Sequence, residues 1–139
     1  MLLGEFEHNI DAKGRIIMPA KLREELGESF YITKGLGGCL WVFSQKKWDE
    51  ILSKFSDMPL VESRDISRYF FSGATDVQPD AQGRILIPPK LRAHAKLEKA
   101  VTFAGLNNRV EIWNTAEWNR INEAADERAI EEQMAKLGL

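Results

Sequence analysis

The sequence predicts a strand-rich α+β fold made of two tandem copies of one unit around a shared core. Three observations carry that expectation. Asp11-Ala-Lys-Gly-Arg-Ile-Ile-Met-Pro-Ala-Lys-Leu-Arg23 returns as Asp80-Ala-Gln-Gly-Arg-Ile-Leu-Ile-Pro-Pro-Lys-Leu-Arg92 at a constant offset of 69, identical at nine of thirteen positions. Short runs rich in Ile, Val and aromatic residues, separated by Asp, Gly and Pro, punctuate both copies, which is the signature of strands and tight turns. A chain of 139 residues can bury one core, whereas a half of about 60 residues would be marginal alone. Two copies sharing an interior imply an internal two-fold relationship and two equivalent surfaces.

Leu3–Ile10 reads as the first strand. Asp11-Ala-Lys-Gly14 fits a type I turn, with Asp accepting from the backbone at its first position and Gly in the left-handed region at its last. Such a turn usually closes a three-residue hairpin loop with a bulge. Arg15–Met18 leaves it as a short strand whose alternation puts Arg15 and Ile17 on one face, Ile16 and Met18 on the other. Pro19 suits the start of a helix that carries Leu22 and Leu26 and stops at Gly27. The second copy repeats this from Asp80 to Ala95. A further hairpin follows in each half, 30–33 with 39–43 and 100–103 with 110–113, across Gly35–Gly38 and Gly105–Asn108. Ser44 then caps a helix over Gln45–Phe55, and Asn114 with Glu117 opens a terminal helix. Trp48 and Trp118 occupy equivalent places in these helices and are expected to be core.

The division that follows is a first unit with its helix over residues 1–56, a bridging segment over 57–73 with a helix from Asp65 to Phe71, and a second unit with its C-terminal helix over 74–139. Beyond Trp118 the terminal helix carries Ile121, Ala125, Ile130, Met134 and Leu137 among many charges.

Composition narrows the function. A single cysteine, Cys39, excludes an internal disulfide framework and a cysteine-based zinc site. No apolar run reaches membrane-spanning length and no signal peptide precedes the acidic opening, so a reducing cytoplasm is the expected home. A nucleophile elbow, a phosphate-binding loop and paired zinc-ligand histidines are all absent, and His8 and His94 stand in no ligating pattern. The expectation is a non-enzyme with no cofactor, no metal and no small-molecule substrate. The net charge of −2 argues against a uniformly basic surface, yet residues 11–23 carry +3 and residues 80–92 carry +2, leaving −7 for the rest. Positive potential is therefore focused on the repeat, where it can steer an anionic partner.

Local architecture accounts for Asp11, Gly14, Asp80 and Gly83 as turn formers, with Arg15 pairing back onto Asp11. It does not account for cations returning at Lys21/Lys90 and Arg23/Arg92. Two turns brought together by a two-fold make a paired basic surface fit for double-stranded DNA. Arginine can take guanine O6 and N7 bidentately, which assigns Arg15 and Arg84 to base edges or deep groove contacts. Lys13, Lys21, Arg23, Lys90 and Arg92 are then assigned to phosphates. Meeting repeated sites as an oligomer would add avidity without new contacts. The competing readings are an antitoxin whose C-terminal part wraps a toxin, and a structural ring that binds protein.

The doubled motif Asp11-Ala-Lys-Gly-Arg15 and Asp80-Ala-Gln-Gly-Arg84 resembles that of the MraZ family of bacterial transcriptional regulators, which are AbrB-like. Gly4-Glu-Phe-Glu-His-Asn-Ile10, Phe70-Phe-Ser-Gly-Ala74 and Val110-Glu-Ile-Trp113 followed by Glu117-Trp118 extend the resemblance from residue 1 to about 120. The resemblance implies two tandem AbrB-like units with swapped, interleaved hairpins closing one pseudo-dimeric barrel with flanking helices. It also implies a homo-oligomeric ring, Arg15 and Arg84 on DNA, nucleoid association, and control of the division and cell-wall gene cluster through promoter repeats.

Overall fold

The computed structural model describes residues 1–139. The element order is β1 (Leu2–Asn9), β2 (Arg15–Ile17), α1 (Ala20–Leu26), β3 (Phe30–Lys34), β4 (Leu40–Ser44), α2 (Gln45–Phe55) and α3 (Leu60–Ile66). A single π turn over Ser67–Phe71 follows, then β5 (Thr75–Val77), β6 (Arg84–Leu86), α4 (Pro89–His94), β7 (Ala100–Asn107), β8 (Val110–Asn114), α5 (Thr115–Glu123) and α6 (Glu127–Lys136). No helix is long and apolar enough to cross a membrane.

The strands form two sheets. Six run antiparallel in the order β1-β7-β8-β4-β3-β5, and the other two, β2 and β6, make a separate antiparallel ribbon. The first strand of each half thus pairs with a strand of the other: Phe6 lies opposite Phe103, and Val77 opposite Phe30. The large sheet stays open, with β1 and β5 as its edges. This corrects the expectation of a closed barrel. The strands that could bridge the two edges, β2 and β6, use their ladder hydrogen bonds on each other.

The turn at Asp11–Gly14 forms as expected, but the strands it joins part company. The Asp11 N–H donates to the Arg15 carbonyl at 2.9 Å; beyond that β1 goes to β7 and β2 goes to β6. A long partner explains why β7 runs on to Asn107, through residues expected to be loop, matching all eight residues of β1.

One apolar cluster fills the space between ribbon and sheet. Ile16, Met18 and Leu22 from the first half meet Ile85, Ile87, Leu91, Val101 and Phe103 from the second. Each such burial is worth about 1.5–3 kcal/mol, so a charge at Ile16 would break the joint between the halves. A second cluster under α2 is aromatic: Trp48 stacks on Tyr31 at 4.7 Å between ring centroids and on Phe70 at 5.4 Å. Trp48 is core as expected; Trp118 is only half-buried, donating from Nε1 to Glu5.

Two helix boundaries differ from expectation. The bridging helix begins at Leu60 and not Asp65, because Pro59 sits at its N-cap in extended geometry and Glu62 occupies the first turn. The terminal helix is broken in two after Glu123, where Asp126 accepts from the N–H groups of Arg128 and Ala129 and starts α6 afresh. No residue of α6 is buried.

Candidate nucleic-acid interface

The repeated turns are built by one carboxylate each. Asp11 Oδ1 accepts from the N–H groups of Lys13 and Arg15, both at 2.9 Å, and Oδ2 accepts from Arg15 Nε at 3.0 Å. Asp80 does the same for Gln82 and Arg84, each bond at 2.9 Å. Gly14 and Gly83 close their turns at φ +86° and +80°, which is why glycine recurs there. Hydrogen bonding from the Arg15 backbone N–H is the main cause holding the Asp11 carboxyl below its ordinary value; the Arg15 side chain and the Lys13 N–H add to it against partial desolvation. Arg84 and Gln82 act likewise on Asp80.

This pairing aims each arginine without consuming it. Asp11 engages only Nε of Arg15, so both Nη groups are left with no protein partner, and Arg84 is arranged identically. The side chains remain 42% and 38% exposed, enough for the outer fork to meet a ligand.

Ribbon register decides where the two forks point. Arg15 pairs with Leu86, Ile16 with Ile85, and Ile17 with Arg84. Paired residues share a face and neighbours alternate. Ile16 and Ile85 therefore turn into the core, and Arg15, Ile17, Arg84 and Leu86 form one outward face. On that face the arginines occupy diagonal positions, a spacing of about 7–8 Å between neighbours of that kind. Each half's turn is also tied to the other half, since the Met18 N–H donates to the Gly83 carbonyl and the Ile87 N–H to the Gly14 carbonyl, both at 2.8 Å.

The remaining cations fall into two groups. Lys13 at the turn and Lys21 and Lys90 at the starts of α1 and α4 are exposed. Arg23 and Arg92 are half-buried and cross over: Arg23 lies against Gly83, and Arg92 against Gly14. Arg92 Nε is buried without a hydrogen-bond partner. Both therefore also pack toward the opposite turn, a relation that the linear sequence does not carry. The second tip has Gln82 where the first has Lys13, so the two are unequal in charge.

Two features escaped the sequence reading. Ile17 and Leu86 had no role there, yet they sit between the arginines at 46% and 56% exposure. Glu111, nearly buried in β8, accepts from Trp41 Nε1 at 2.9 Å, Trp113 Nε1 at 3.0 Å and Arg109 Nη2 at 3.0 Å. A lone carboxylate inside Val110-Glu-Ile-Trp113 was the available sign of such a buried knot. Both of its oxygens are engaged by protein donors, which fits a structural role.

The family model described as "MraZ protein, putative antitoxin-like" matches residues 1–66 and 70–138. A relative named "Transcriptional regulator MraZ" from Desulforamulus reducens is 49% identical over 138 residues, covering 98% of this chain and 96% of its own. A Thermoanaerobacter protein of the same name is 51% identical over 128 residues, covering 91% and 90%. Another, from Acetivibrio thermocellus, is 44% identical over 143 residues with both chains fully covered. This chain belongs to the MraZ family.

Proposed function

We propose that the protein is a sequence-specific DNA-binding transcriptional regulator that lays the β2–β6 ribbon into the major groove. The observation carrying this is the single outward face shared by Arg15 and Arg84. The major groove admits a two-stranded ribbon, and each bidentate arginine–guanine pair is worth about 1–3 kcal/mol of discrimination. A diagonal spacing of about 7–8 Å corresponds to roughly two base-pair steps at about 3.4 Å each. Lys13, Lys21 and Lys90 flank the ribbon to meet phosphates. Arg23 and Arg92 join them from half-buried positions, brace the turns and raise the local potential. The relatives' name supports a role in transcription.

The finer reading is that the halves are AbrB-like units with exchanged strands, acting as a homo-oligomeric ring on promoter repeats of the division and cell-wall gene cluster, in the nucleoid. One protomer offers few phosphate contacts, and several protomers on repeated sites gain avidity of about 10²–10⁴. An antitoxin would need a tail that folds on its toxin; capped helices at Asn114 and Asp126 favour the regulator.

Selection of bound sequences from random duplex DNA, followed by titration of the enriched duplex, tests the proposal. Arg15→Ala and Arg84→Ala are each expected to weaken binding about 5- to 150-fold, the range of one lost bidentate pair, with assembly unchanged by sedimentation. Enrichment of no sequence, or full binding by the double variant, refutes it.

A further inference from the structure

Resting on the reading above, we propose that Ile17 and Leu86 are specificity determinants that read the 5-methyl groups of thymine between the two arginines. The face between the guanidinium groups is apolar. Ile17 stands opposite Arg84 and Leu86 opposite Arg15, and both are exposed, at 46% and 56%. They are counterparts in the repeat, 69 residues apart. Nothing in the turn or the core uses them, because Ile16 and Ile85 supply the ribbon's buried face. Contact with phosphate alone would have no use for two large hydrocarbon side chains at the centre of a cationic face.

In the major groove the one apolar group on any ordinary base edge is the thymine methyl. The arginines take acceptor atoms on guanine, and the hydrocarbon between them matches a neighbouring thymine. A second copy of the chain is a poorer occupant. Ribbon against ribbon would bring four arginine forks together, each already paired through Nε and with no further acid on that face. Loss of one methyl contact removes the burial of about one hydrocarbon carbon, which corresponds to about fourfold in affinity.

The test uses the full-length protein and a duplex enriched from a random pool, synthesised with thymine and again with uracil, which lacks only the methyl. The native protein is expected to bind the uracil duplex about fourfold more weakly for each contacted thymine. Ile17→Ala/Leu86→Ala is expected to bind both duplexes equally while keeping its guanine preference and its melting temperature. Equal binding of both duplexes by the native protein overturns the methyl contact and leaves the arginine reading standing, as does a thymine preference that survives in the double variant. Enrichment of no duplex overturns both. Loss of assembly in the double variant identifies the face as a contact between copies and overturns the proposal.

Discussion

Alanine at Gly14 and at Gly83 distinguishes the two turns, although their sequences are near copies. Both glycines have positive φ, +86° and +80°, and a β-carbon there costs about 1–2 kcal/mol. At Gly14 that carbon would stand 2.7 Å from the Ile87 carbonyl oxygen and 2.8 Å from Arg92 Nε. The carbonyl is backbone, fixed by the Ile87 N–H bond to Gly14, so the overlap adds about 1–3 kcal/mol of overpacking. At Gly83 the nearest group is the Nη1 end of Arg23, which can swing aside. At about 2–4 °C per kcal/mol for a chain approaching 150 residues, Gly14→Ala is expected to lower Tm by about 10 °C and Gly83→Ala by about 4 °C. Differential scanning calorimetry of the two variants reads this directly. Equal losses, or a larger loss at Gly83, would refute the crossed packing of ribbon and turns.

Three further outcomes follow from the same structure. The Arg15 backbone N–H holds the folded Asp11 carboxyl below its ordinary value, so its stabilising contribution is present above the ordinary carboxylate range and is lost as pH falls through the folded value. Urea titrations should show Asp11→Asn less stable than the native chain at neutral pH, the gap closing in acid; a gap independent of pH contradicts the charged turn. Glu111→Ala strands the indole N–H groups of Trp41 and Trp113 and is expected to cost about 2–3 kcal/mol, with Glu111→Gln milder; a loss below about 0.5 kcal/mol, the usual size of a surface change, would mean water serves equally. Burial pushes the Cys39 thiol up to about 12, so iodoacetamide at pH 8 should label it only after denaturation, and rapid labelling of the native chain would show the β4 end opening.

What was legible in the sequence was local chemistry. Asp11, Gly14, Pro19 and their copies carry their turn and helix roles in their own covalent structure, and alternation alone placed Ile17 beside Arg15. Partnership was not legible. Leu2–Asn9 and Ala100–Asn107 each favour an extended chain, but no residue in either names the other as its mate; pairing is settled by which faces can be buried together. The barrel failed for this reason, and the place of Arg23 and Arg92 over the opposite turn was hidden for the same reason, since it depends on the crossing of the halves. The break before α6 was readable: Asp126 is a cap residue after two alanines, and the apolar stripe spanning it masked the signal.

Dimethyl sulfate footprinting on the enriched duplex probes the seating of the ribbon most directly, because the reagent methylates guanine N7 in the major groove and adenine N3 in the minor groove. Arg15 and Arg84 on guanine edges predict N7 protection at guanines roughly two base pairs apart, with Arg15→Ala and Arg84→Ala each restoring reactivity at one of them. Protection confined to adenine N3, or guanine N7 fully reactive in the bound complex, would contradict a ribbon seated in the major groove.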